Sequence, residues 1–197
     1  MAVVCPRCGR EYDVTLFEFG RTLWCTCGAR VGVASRELSL GAAAENRFLA
    51  DAMLGKLARW LRLLGFDCAY EDRIADAELI RRGVEQQRVI LTRDRALPHE
   101  WWLSGICVVR AEAPFEQLGE VLRRFALAPS VQLFSRCSQC NRDLASAHRA
   151  DLAGRAPPHI LATREHFWEC AGCGRVYWEG SHTRRIRQVV ERLLAEA

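Results

Sequence analysis

The chain has 197 residues, half of them hydrophobic, and a formal net charge of +4 with a pI near 8.6. That length can bury one modest core with small appendages, and the mild basicity does not by itself point to a nucleic-acid partner. No apolar run approaches membrane-spanning length, and Met1-Ala2-Val3-Val4-Cys5 lacks the basic and apolar regions of a signal peptide, so a soluble cytoplasmic protein with no membrane partner is expected. In a reducing compartment ten cysteines read as metal ligands and not disulfides, the more so because eight fall into close pairs. Cys68 and Cys107 are left over as small buried hydrophobes.

The first module spans residues 1–40. Cys5-Pro6-Arg7-Cys8-Gly9 and Cys25-Thr26-Cys27-Gly28 are spaced like the two ligand pairs of a zinc ribbon, so Cys5, Cys8, Cys25 and Cys27 are candidate zinc ligands. The second pair is C-x-C, which alters the turn geometry; the alternative is a ribbon that has lost its metal. A linker of small and polar residues, Ser35 to Asn46, follows.

The next segment, 46–130, alternates strand and helix. An apolar run, Arg47-Phe48-Leu49-Ala50, ends in Asp51. Met53 to Leu64 then places Leu54, Leu57, Ala58, Leu61 and Leu64 on one side of a helix and Lys56, Arg59 and Arg62 on the other. Gly65 suits a helix C-cap before a short strand near Cys68-Ala69-Tyr70. A helix over 76–86, a strand Val89 to Thr92, a strand 106–109 and a helix 114–127 complete the pattern. Successive βα units predict an α/β fold with a mostly parallel sheet flanked by helices.

Beyond Ala128-Pro129, residues 134–182 hold Cys137-Ser138-Gln139-Cys140 and Cys170-Ala171-Gly172-Cys173, both C-x-x-C, which makes Cys137, Cys140, Cys170 and Cys173 a second candidate zinc set. The intervening loop, with Pro157-Pro158, is longer than a minimal ribbon needs. The chain ends in an arginine-rich amphipathic helix, 183–197.

Three acids stand where chemistry is expected. Strands ending in Asp51 and in Thr92-Arg93-Asp94, if parallel neighbours, deliver both carboxylates to the carboxyl edge of the sheet, and Asp76 opens the second helix. Clustered carboxylates repel one another unless cations neutralise them, and oxygen ligands favour magnesium or manganese. The plainer readings are that Asp76 is an N-cap and that Asp94 caps the turn before Arg95-Ala96-Leu97. Lys56 and Arg93, nearest the acids in sequence, are candidate phosphate contacts; Arg59 and Arg62 fit a solvated helix face equally well. Trp101-Trp102 and Trp168 read as packing residues.

The run Phe48-Leu49-Ala50-Asp51-Ala52-Met53-Leu54-Gly55-Lys56-Leu57-Ala58-Arg59-Trp60-Leu61-Arg62-Leu63-Leu64-Gly65-Phe66-Asp67, with Ile90-Leu91-Thr92-Arg93-Asp94, resembles the PIN-like ribonuclease family named for the C-terminal domain of the Mut-seven exonuclease. Cys137-x-x-Cys140 and Cys170-Ala171-Gly172-Cys173-Gly174-Arg175-Val176-Tyr177-Trp178-Glu179-Gly180-Ser181-His182 look like that family's built-in zinc ribbon. The resemblance covers roughly 46–185 and leaves the N-terminal module outside. It implies a PIN-like fold and divalent-metal-dependent RNA cleavage, with Asp51, Asp76 and Asp94 at the family's acidic positions. A fourth acid is not placed; Glu78 and Glu112 are weak candidates. His182 matches the family's Gly-Ser-His ending.

The expected function is therefore a magnesium- or manganese-dependent ribonuclease carrying two structural zinc ions, with RNA as substrate and the N-terminal ribbon open to a protein partner. The competing reading is a non-catalytic zinc-ribbon adaptor that binds RNA or protein, which has no need of three aspartates at one sheet edge.

Overall fold

The computed structural model describes residues 2–33 and 46–195; the expected linker falls almost wholly on 34–45, outside the described residues. In the N-terminal module β1 (Ala2–Val4) pairs antiparallel with β2 (Glu11–Asp13), and β3 (Thr22–Trp24) with β4 (Arg30–Gly32). Strands of three residues do not stand alone. They close over a small core of Cys5, Phe17, Cys25 and Val31, against which Val3, Tyr12 and Leu23 pack.

The middle of the chain runs β5 (Arg47–Ala50), a 3-10 turn Ala52–Leu54, α1 (Gly55–Leu63), β6 (Asp67–Tyr70), α2 (Asp76–Glu85), β7 (Val89–Thr92), α3 (Leu97–Glu100), β8 (Ile106–Val108) and α4 (Pro114–Arg124). The strands form a four-stranded sheet in the order β6-β5-β7-β8, with β5, β7 and β8 paired in parallel. Phe48, Leu49, Ala50, Val89, Ile90 and Leu91 are all buried, as strands covered on both faces require. The predicted helical stripe is also buried at Leu54, Leu57, Ala58, Leu61 and Leu64, each leucine contributing roughly 1.5–3 kcal/mol. α4 stops at Arg124, three residues short of the predicted end, because Ala126 takes a left-handed φ of 50°.

In the last segment β9 (Ala145–Ala147), β10 (Phe167–Glu169) and β11 (Val176–Trp178) form an antiparallel sheet in the order β11-β10-β9. The long loop within it folds into a 3-10 turn, Arg149–Leu152, and α5 (Pro158–Thr163). Trp168 stacks on Phe134 with ring centres 4.2 Å apart, the packing role expected of it. α6 (Ser181–Ala195) starts two residues earlier than predicted, so His182 lies in the helix and not in a turn before it.

By compactness the chain divides into two units, Met1–Gly55 with Tyr70–Val109, and Lys56–Ala69 with Arg110–Ala197. In the first unit the N-terminal module is fastened by the outer face of its second hairpin. The Thr22 hydroxyl donates to the carbonyls of His99 and Glu100, both at 3.0 Å, and the Arg30 guanidinium donates to that of Pro98 at 3.2 Å. Arg30 also lies 5.0 Å from the ring centre of Trp102, and the backbone N–H of Trp102 donates to the Gly20 carbonyl at 2.7 Å. Trp101 is buried. Both tryptophans thus serve packing, and Trp102 does so against the ribbon. Among the described residues no helix is long and apolar enough to cross a membrane.

Candidate metal centres and active site

The parallel register that sets Ala50 beside Leu91 carries Asp51 and Thr92 off the same sheet edge. The ladder continues one step further, because the Asp51 N–H donates to the Leu91 carbonyl at 2.9 Å. Asp51 is only 4% exposed, and each carboxylate oxygen accepts one hydrogen bond, from the Ala52 N–H and from the Thr92 hydroxyl, both at 2.6 Å, which leaves a lone pair on each. The same Thr92 hydroxyl accepts the Asp94 N–H at 2.9 Å. Thr92, wholly buried, is therefore a single-atom bridge between the two acids, a role that sequence reading missed. The signal was there, since a polar residue closing an apolar strand two places before an aspartate is suited to that bond.

Asp94 also accepts the Ala96 N–H at 2.7 Å, so it caps the turn into α3 as its plainer reading expected. Asp76 does not cap. The N-cap of α2 is Ala75, which makes no side-chain capping bond, and Asp76 is the first helical residue. Loss of water raises the Asp76 carboxyl above its ordinary pKa, and the negative charges of Asp51 and Asp94 raise it further. The three acids thus share one electrostatic field. Carboxylates that destabilise one another's charged forms are the arrangement a hard cation relieves, so the donor set fits magnesium or manganese.

Arg93 is exposed between Thr92 and Asp94, and Lys56 is exposed as the second residue of α1, in the other compact unit. Glu78 is unsuited to be a fourth acid. Arg81 and Arg82 engage it through bonds of 2.5 to 2.7 Å and hold its carboxyl down at about 2. Glu112 belongs to the second unit, ahead of α4. Arg59 is exposed, but Arg62 corrects the solvated-face reading: it is 5% exposed and donates to the carbonyls of Cys68 at 2.7 Å, Gln139 at 2.8 Å and Ser138 at 3.3 Å. A guanidinium committed to three carbonyls does not reach phosphate.

Both cysteine sets assemble as expected. The sulfurs of Cys5, Cys8, Cys25 and Cys27 lie within 4.8 Å of one another, as do those of Cys137, Cys140, Cys170 and Cys173, so each set could hold zinc. Individual S···S separations of 3.6 Å (Cys5–Cys27, Cys137–Cys173), 3.5 Å (Cys8–Cys25) and 3.3 Å (Cys140–Cys170) approach the ~3.8 Å edge of a tetrahedron with Zn–S bonds near 2.3 Å. The short C-x-C spacing is absorbed by a tight turn in which Gly28 donates to the Cys25 carbonyl and Cys25 to that of Ala29, both at 2.8 Å. Thiols in both sets are prepared for ionisation, Cys137 in the C-terminal one and Cys25 and Cys5 in the N-terminal one. Burial pushes Cys137 up, but backbone N–H groups and the Tyr177 hydroxyl, 3.1 Å from its sulfur, outweigh it and bring the thiol to about 6. The backbone of Cys27, then the Tyr12 hydroxyl, holds Cys25 at about 5.

No curated protein and no solved structure matches the chain. Residues 46–190 do match the family model of the Mut7-C RNAse domain, a span that takes in the parallel sheet, all three aspartates and the C-terminal cysteine set. The chain belongs to the Mut7-C RNAse domain family.

Proposed function

We propose that this protein is a magnesium- or manganese-dependent ribonuclease that hydrolyses RNA phosphodiester bonds at Asp51, Asp76 and Asp94. The observation that carries the reading is the Asp51–Thr92–Asp94 bridge at the sheet edge, joined electrostatically to Asp76, in a chain of the Mut7-C RNAse family. A divalent ion held there supplies a water of lowered pKa and stabilises charge developing on the phosphate. Asp51, immobilised by two hydrogen bonds, fixes the position of the metal, and Asp94 and Asp76 complete the ligand set. Lys56 and Arg93 offset phosphate charge near the cleaved bond.

In this reading the N-terminal ribbon (1–40), nuclease domain (46–130), C-terminal ribbon (134–182) and basic helix (183–197) divide the labour. Two structural zinc ions hold the ribbons, which assist RNA binding, and the N-terminal ribbon offers a surface to a protein partner. Cysteines kept as thiolate ligands suit a reducing compartment, and we place the protein in the cytoplasm.

The test is incubation of zinc-loaded protein with labelled single-stranded and structured RNAs, with and without Mg²⁺ or Mn²⁺, beside Asp51→Asn and Asp94→Asn. Metal-dependent cleavage lost in both variants is the expected result. Tight RNA binding without cleavage under every metal condition overturns it in favour of the adaptor.

A further inference from the structure

The four cysteine turns share one backbone feature, and one of them builds it from a different residue. After the second cysteine of each pair the backbone turns left-handed: Gly9 at φ 73°, Gly28 at 81°, Gly174 at 70° and, in the first turn of the C-terminal set, Asn141 at 67°. Glycine adopts this conformation without steric cost, whereas a residue with a side chain loses roughly 1 kcal/mol. Asn141 uses its carboxamide. The oxygen accepts the Cys68 N–H at 3.1 Å and the nitrogen donates to the Asp67 carboxylate at 2.6 Å, both at the start of β6.

The same turn supplies the Ser138 and Gln139 carbonyls that accept from Arg62 on α1. Arg62 also holds the Cys68 carbonyl, so the last turn of α1, the first residues of β6 and the Cys137–Cys140 turn share one network. Three more bonds join it from the strand-free stretch before the turn. The Gln132 N–H donates to the Leu64 carbonyl at 2.9 Å, and Arg136 reaches the Asn141 carbonyl at 2.5 Å and that of Gly65 at 3.5 Å. A buried guanidinium whose direct partners are neutral carbonyls needs compensating charge nearby. Four thiolates around one zinc ion carry a net charge of about −2.

We propose that Arg62 and Asn141 are positioning residues that couple zinc occupancy of the Cys137/Cys140/Cys170/Cys173 site to the conformation of the α1–β6 hairpin. A filled site holds the turn in the shape that presents two carbonyls to Arg62 and a carboxamide to Cys68. Metal loss relaxes that shape and frees the hairpin. Coupling is reciprocal, so breaking the brace weakens zinc binding at this site. In the N-terminal set the corresponding positions are Gly9 and Gly28, which have no side chain with which to make such a brace. The inference concerns the zinc site and the hairpin, and it stands whether or not the aspartates cleave RNA.

Asn141→Gly is the sharpest variant, because it gives the turn the residue the other three use and removes only the two side-chain bonds. In the full-length, zinc-loaded protein, amide hydrogen exchange over residues 61–70 should rise about tenfold in Asn141→Gly, and by at least as much in wild type after chelation. Zinc affinity of the C-terminal site, measured by chelator competition, should fall severalfold in Asn141→Gly and in Arg62→Lys, which keeps the charge without the guanidinium fork. If Arg62→Lys does not fold, Asn141→Gly carries the test alone. Unchanged exchange over 61–70 on chelation, or an Asn141→Gly protein with wild-type exchange and wild-type zinc affinity, overturns the proposal.

Discussion

In each cysteine set four sulfurs close to within 4.8 Å, and two of the four residues are buried. Asp51, Asp76 and Asp94 come instead from the ends of two strands and the start of a helix, and among the described residues they do not form such a close set. The sulfurs are arranged so that they could hold zinc, while in the proposed function the carboxylates take a hydrated cation that exchanges with solvent and substrate. The supporting contacts differ accordingly. The C-terminal cysteine turn is tied into α1 and β6 by side chains; Asp51 and Asp94 are tied to each other through Thr92. In the proposed function one kind of site holds the fold together, and the other stores repulsion that a bound cation relieves.

The largest expected effect is on the structural side of this contrast. Cys140→Ser should cost on the order of 5 kcal/mol, through loss of zinc, and lower Tm by more than 10 °C in thermal melts of zinc-loaded protein. Asp51→Asn should do the opposite, lowering the cleavage rate by about 10³-fold or more while stability stays within ~1 kcal/mol of wild type. The asparagine can still accept the Ala52 N–H and donate to Thr92. A matching loss of stability in the two variants, measured by denaturant titration, would break the distinction.

Thr92→Val tests the bridge itself. Near-isosteric removal of the hydroxyl strips Asp51 of a donor and the Asp94 N–H of its acceptor, for a stability loss of about 1–3 kcal/mol. Cleavage should fall by roughly ten- to a hundredfold as the acids lose register. A Thr92→Val enzyme with wild-type rate and metal affinity would show that the two aspartates are held by other means.

The smallest effect concerns protons. The folded pKa of Asp76 is raised, so the native state binds a proton more tightly there than the unfolded chain does. Metal-free protein should therefore gain stability as pH falls through that pKa and lose it as pH rises. Metal affinity runs the other way, since proton and cation compete for the same carboxylate. Asp76→Asn should flatten both trends below neutrality in thermal melts and Mn²⁺ titrations, leaving zinc content untouched.

Patterns carried by local periodicity were legible in the chain. The buried stripe from Leu54 to Leu64, the apolar strands that end at Asp51 and Thr92, and both cysteine sets follow from spacing. What spacing could not carry were partners distant in sequence. Arg62 occupies the polar face of its helix by the 3.6-residue rule, but two of its three carbonyl partners lie 76 and 77 residues downstream, so tertiary packing buries it. Asn141 carries no local signal, because nothing nearby in sequence announces Asp67 and Cys68 as its partners. The plainer N-cap reading of Asp76 fails for a smaller reason: helix α2 begins one residue earlier than a side-chain cap there would set it.

The central claim is tested most directly by titrating zinc-loaded protein with Mn²⁺ and following metal binding and RNA cleavage in the same samples, for wild type and Asp51→Asn. Cleavage should rise in step with Mn²⁺ occupancy in wild type, and both should be lost in Asp51→Asn while its zinc content stays unchanged. Cleavage that proceeds without the divalent ion, or that persists in Asp51→Asn, would contradict the assignment of the aspartate edge as the active site.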